Sequence, residues 1–118
     1  MSHTLVRISD VTRDGIRDVD ARTLHAHRGD AHLIDVREPE EFTGELGHIP
    51  GATSVPMQTI AREVEAHRWE VSDAIVVVCR SGARSSKVAR QLMELGFQRV
   101  INLRGGMLGW VDACLPVE

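Results

Sequence analysis

The chain has no tyrosine and only two Phe and two Trp, so it offers no row of flat rings on which bases could stack. It has no surplus of positive charge either. The formal net charge of −3 gives no general attraction to nucleic acid or to an anionic membrane surface. No apolar run reaches the length that crosses a bilayer, and the start MSHTLVRISDVTRD lacks the basic end and apolar stretch of a secretory signal. Two cysteines make no disulfide framework, so the expected setting is a reducing cytoplasm with both thiols free. No repeat, low-complexity tract or linker interrupts the 118 residues, which points to one domain and, by default, a monomer.

What remains is an ordinary globular composition, 42% hydrophobic and 26% charged. A chain of this length buries roughly two-thirds of its extended surface, enough for a core without metal or disulfide support. A helix is expected from about Ala21 to Arg28, capped by Asp18 or Asp20 and stopped by Gly29. His32 to Val36 reads as a short strand, followed by a helical turn at Pro39-Glu40-Glu41-Phe42 and a turn-rich loop, GHIPGA. Thr53 to Val55 is a second short strand, and Met57 to His67 a helix. Ala74 to Val78, a β-branched run, is the clearest strand, and Ser85 to Leu95, with one apolar face and Gly96 after it, the clearest helix. Arg99 to Leu103 and Gly106 to Ala113 add a strand and a last helix. Such alternation means an α/β fold, a parallel sheet with helices on both faces. Residues 1–15 fit it poorly and are expected as an arm or an edge strand, leaving 16–118 as the single domain.

Charge is spread unevenly. From Asp35 to Asp73 there are nine acids against three bases; from Cys79 to Arg104 there are six bases against one acid. Two of those bases stand in VVVCRSGARSS, Val76 to Ser86, where the valine strand ends in Cys79 and a loop runs straight into a helix. The carboxyl end of a parallel strand is where functional groups gather, and a helix start presents backbone N–H groups without intrahelical partners. With Gly82 allowing a tight path, Arg80 to Ser85 are expected to curl into a cradle of donors around the sulfur. Such a field lowers a thiol pKa from about 8.5 towards neutrality. The same donors suit an anionic substrate or charge left on a terminal sulfur. The plain alternative is a small buried thiol filling a gap. Cysteine phosphatases place five residues between Cys and the clamping Arg, whereas four separate Cys79 from Arg84. The tighter ring suits one sulfur atom better than a phosphoryl group, and the loop contains no general acid.

LIDVREPEEF (Leu33–Phe42), GHIPGA (Gly47–Ala52), VVVCRSGARS (Val76–Ser85) and INLRGGMLGW (Ile101–Trp110) stand in an order and spacing that resemble the single-domain rhodaneses, sulfurtransferases of the thiosulfate class. The resemblance extends over roughly residues 16 to 118. It implies a five-stranded parallel sheet sandwiched by helices. No cofactor and no metal are expected. The resemblance further implies that the Cys79 thiolate attacks the outer sulfur of a small anionic donor such as thiosulfate, that sulfite leaves, and that Cys79 carries a persulfide. A thiophilic acceptor (cyanide, a thiol or a partner protein) then takes the sulfur. Substrate would be bound by Arg80, Ser81, Gly82, Ala83, Arg84 and Ser85. Arg84 either faces the anion or braces the loop against an acid such as Glu41. Asp35 and Arg37 support the site from behind, either paired with each other or touching substrate. Two alternatives stand beside an active enzyme: a low-turnover module that relays sulfur or docks a partner, and a small cysteine phosphatase or arsenate-type reductase.

Other residues carry weaker signals. His48 reads as a turn residue or a general base, and Trp110 as core cover. Cys114 is either a resolving thiol or a plain packing or surface residue, where the family usually has a small residue. His25, His27 and His32 invite a metal, but positions 25 and 27 of a helix point in opposite directions.

Overall fold

The computed structural model describes residues 4–118; residues 1–3 of the expected N-terminal arm lie outside the described residues. In chain order the elements are α1 (Thr4–Ile8), β1 (Asp10–Val11), β2 (Arg17–Val19), α2 (Ala21–Ala26), β3 (His32–Asp35), α3 (Pro39–Phe42), β4 (Thr53–Ser54), α4 (Ile60–Glu65), β5 (Ala74–Val78), α5 (Ala83–Glu94), β6 (Arg99–Leu103) and α6 (Gly106–Asp112). The sheet order is β1-β2-β6-β5-β3-β4. Five strands run parallel, as the alternation of strands and helices requires, and β1 adds a short antiparallel edge on β2.

β5 shows how the sequence divides the core. All five of its residues are buried, and successive side chains point to opposite faces. Ile75 and Val77 enter a cluster with Val88, Ala89 and Leu92 of α5 and Ile60 of α4. Val76 and Val78 enter the opposite cluster, with Leu5 of α1, Leu24 of α2, and Met107 and Trp110 of α6. Burying one such valine is worth about 1.5–3 kcal/mol relative to leaving it exposed. The continuous apolar run is therefore one strand serving two cores.

Several boundaries differ from the sequence expectation, each for a local reason. α2 is capped by the Asp20 side chain, which accepts from the Thr23 N–H, because Asp18 lies in β2. The expected helix from Met57 splits into a 3-10 turn, Met57–Thr59, and α4. α5 starts two residues early, at Ala83, because Gly82 makes the turn. α1 and β2 were not anticipated; elements of five and three residues are too short to display a period. Among the described residues no helix is long and apolar enough to cross a membrane.

Candidate active site

The alternation of β5 continues one residue past the strand and sends Cys79 to the α5 face, with Ile75 and Val77. Its residue is 1% exposed and packs into that cluster, yet its sulfur is not surrounded by hydrocarbon alone. Gly82 stands at φ 108° as the N-cap of α5 and provides no side-chain cap, so the first-turn amides stay open to the loop interior. The Gly82 N–H donates to Cys79 Sγ at 3.0 Å, and the Ser85 hydroxyl lies 3.2 Å from the same atom. Burial pushes the Cys79 thiol up, but the Ser85 hydroxyl and the amides of Ser85, Gly82 and Ser81 outweigh it. The net result is a lowered pKa.

A second glycine turn holds this loop from outside. Gly105 (φ 81°) and Gly106 (φ 56°) follow β6 after Arg104 and open α6. There the Met107 N–H donates to the Cys79 carbonyl at 2.9 Å and the Leu108 N–H to the Arg80 carbonyl at 3.0 Å. A Cβ on Gly106 would lie 2.6 Å from both carbonyl oxygens, so only glycine lets the two backbones meet. In the sequence the loop itself does not signal this contact; the adjacent glycines shortly after the strand do. Asn102 of β6, which reaches Ser85, is not signalled. Nothing local marks a single Asn in a strand.

Charges frame the loop in two layers. Arg37 is 1% exposed and grips Asp35 through Nε at 2.9 Å and Nη2 at 2.8 Å; Nη2 also donates to the Gly47 carbonyl at 2.8 Å. The two residues thus pair with each other and tie the GHIPGA loop to the end of β3. Farther out, Arg84 binds Glu41 in a two-pronged bridge of 2.7 and 2.9 Å. That bond, against the smaller cost of burial, holds the Glu41 carboxyl down to about 2, and Glu41 in turn raises Arg84. Of the two positions open to Arg84, it occupies the one against Glu41. Arg80 is exposed and, with Arg37, Glu40, Glu41, Gly44, Glu45 and Leu46, lines a cleft of about 350 Å³.

Residues 20–113 match the sequence profile of the family described as rhodanese-like domain. The chain belongs to the rhodanese-like domain family. A protein named sulfurtransferase from Allochromatium vinosum is 34% identical over 105 residues, covering 86% of this chain and 94% of that protein. Thiosulfate sulfurtransferase GlpE of Vibrio cholerae is 32% identical over 101 residues, 86% of this chain and 92% of its own. The crystal structure of a rhodanese-like domain protein from Staphylococcus aureus superposes with a TM-score of 0.72 at 29% identity, covering 86% of this chain and 97% of that one.

In this rhodanese-like chain the remaining sequence signals have structural partners. The His48 ring stacks on Phe42 with centroids 3.8 Å apart, and its Nδ1 lies 3.0 Å from the Phe42 carbonyl. Trp110 is fully buried and donates from Nε1 to the Pro116 carbonyl at 2.8 Å. His25 packs edge-on against Trp110, His27 lies near Asp30, and His32 meets Asp73, three separate places. Cys114 is exposed, in a left-handed turn at φ 59°.

Proposed function

We propose that this rhodanese-like protein is a sulfurtransferase that moves sulfane sulfur from thiosulfate or a persulfide donor to a thiophilic acceptor through a persulfide on Cys79. The observation that carries the reading is the Gly82 N–H aimed at Cys79 Sγ from the start of α5, in a loop whose donors lower the thiol pKa despite its burial. The thiolate attacks the outer sulfur of the donor, the S–S bond breaks towards sulfite, and the added sulfur carries the negative charge among the amides of Arg80 to Ser85. Arg80, exposed and without a side-chain partner among the described residues, offers its guanidinium to the arriving anion. Arg84 keeps the loop in shape through Glu41, and Asp35 and Arg37 hold the strand end behind it. An acceptor nucleophile then attacks the outer sulfur and releases the Cys79 thiolate. A reducing cytoplasm suits this cycle, and both cysteines are free.

The low-turnover relay has two observations in its favour: Cys79 is almost closed off, and the nearby cleft carries the carboxylates of Glu40 and Glu45, which repel a free dianion. The phosphatase alternative loses support, because the arginine that would clamp a phosphoryl group is engaged by Glu41. Incubation with thiosulfate followed by intact-mass measurement tests the proposal. The expected result is one added sulfur, removed by cyanide and absent from Cys79→Ser. An adduct that persists in the serine variant would overturn it; slow loading from thiosulfate with fast loading from a persulfide would select the relay.

A further inference from the structure

Ser85 and Asn102 form a buried polar pair, of which the loop mechanism above uses only Ser85. Ser85 is fully buried, and its Oγ lies 3.2 Å from Cys79 Sγ and within hydrogen-bond distance of Asn102 Oδ1. Asn102 stands on β6 opposite Val77 of β5 and is 8% exposed. Its neighbours Ile101 and Leu103 point to the α6 face, so Asn102 points to the face shared by α5 and Cys79. The orientation of its amide follows from its other contact. Nδ2 meets the Gly82 carbonyl at 3.5 Å, and a carbonyl only accepts, so Oδ1 is the atom turned to Ser85.

A hydroxyl carries one proton, and this one has two acceptors, so it serves the sulfur or the amide oxygen at any instant. Which it serves depends on where the negative charge lies. A thiolate at Sγ is the stronger acceptor, since hydrogen bonds to ionised groups are about twice as strong as neutral ones. Once a second sulfur is attached, Sγ becomes a neutral bridging atom and the charge moves to the terminal sulfur. The amide oxygen is then the better partner. We propose that the Ser85 hydroxyl is a two-position switch, turned to Cys79 Sγ while that sulfur is charged and to Asn102 Oδ1 while it bears a persulfide, with Asn102 as the positioning residue that sets the balance. In the discharge step the acceptor's lone pair forms a bond to the terminal sulfur, and the S–S bond breaks with its electron pair passing to Sγ. The hydroxyl turns onto the new thiolate as it forms, and no proton is transferred.

The switch gives Asn102 an unusual sign. By competing for the hydroxyl it weakens the hold on the thiolate, and so keeps Cys79 from becoming too poor a nucleophile. The other charged groups around Cys79 are Arg80, Arg84 with its partner Glu41, and the Asp35–Arg37 pair. All of them are unchanged in the variants compared.

The inference rests on Cys79 being the sulfur that turns over, but its test does not require turnover. In a Cys114→Ser chain, the pH dependence of Cys79 alkylation by iodoacetamide reports the thiolate directly. Ser85→Ala is expected to raise the midpoint by about one pH unit. Asn102→Leu is expected to lower it, and to have no effect in the Ser85→Ala background. A loosened loop would move the midpoint in both backgrounds, so an Asn102→Leu shift that is upward, or that survives Ser85→Ala, overturns the switch. If Asn102→Leu does not fold, Asn102→Asp replaces it: the midpoint must rise more with Ser85 present than in Ser85→Ala, and equal rises overturn the proposal. Absence of any sulfur loading with these alkylation results intact would sink the sulfurtransferase reading and the persulfide position with it, and leave only the competition of Sγ and Asn102 Oδ1 for the hydroxyl.

Discussion

α5 and α6 begin in the same way and do different things. Each follows a parallel strand of the sheet, each is entered through a left-handed glycine, Gly82 or Gly105, and neither has a side-chain cap. At α6 the first amides meet two carbonyls of the neighbouring loop, those of Cys79 and Arg80, and their hydrogen-bonding capacity is used in holding backbone. At α5 the open amides face a single sulfur. An uncapped helix start is thus no site in itself. It becomes one where a polarisable group enters it, and here the second helix start holds that group in place.

Substitutions at the glycines separate the two roles. Gly106→Ala should have the largest effect on stability, about 3 kcal/mol, because its Cβ meets fixed backbone atoms at 2.6 Å and φ 56° is strained for alanine. Urea unfolding measures it, and a loss under about 0.5 kcal/mol would mean the α6 contact is slack. Gly82→Ala meets no atom closer than 3.6 Å, so only the backbone strain at φ 108° remains, about 1–2 kcal/mol. Its effect on the rate of Cys79 alkylation at neutral pH should nevertheless exceed that of Gly106→Ala at equal folded fraction. The reverse ranking would erase the distinction between the two helix starts.

Glu41→Gln should cost about 1 kcal/mol, since the pair is about one-third exposed and screened by water. The carboxyl is depressed from 4.5 to about 2, so its stabilisation is present above pH 4.5 and is lost as pH falls towards 2. Wild type and Glu41→Gln should therefore converge in stability across that window; parallel curves would show that the bridge contributes nothing. The smallest effect on the fold is expected at Arg80→Ala, whose side chain is exposed and enters no hydrogen bond or ion pair among the described residues. Its KM for thiosulfate should rise several-fold with the melting temperature unchanged.

The parts of this molecule legible in its sequence are those that local chemistry dictates. Ala74 to Val78 read as the clearest strand, covered on both faces, Gly82 as allowing a tight turn, and the four quoted segments pointed to the rhodanese-like family. The Arg84–Glu41 bridge was one of two readings, because 43 residues separate its partners and only the fold brings them together. Asn102 was invisible for the same reason, and the paired glycines at 105 and 106 marked a turn without showing what it meets. Their meaning lies in the strand register, which sets Asn102 beside Val77, and in the approach of α6 to the Cys79 loop. β2 escaped because three residues carry too little pattern against the pull of Arg17 and Asp18 towards the surface.

The measurement that bears most directly on Cys79 is an ultraviolet titration of its thiolate in a Cys114→Ser chain, native and unfolded in urea. The native midpoint should lie below the unfolded one, since the donors at the head of α5 outweigh burial. A native midpoint equal to or above that of the unfolded chain would mean that burial wins, and that the sulfur is a packing residue without catalytic standing.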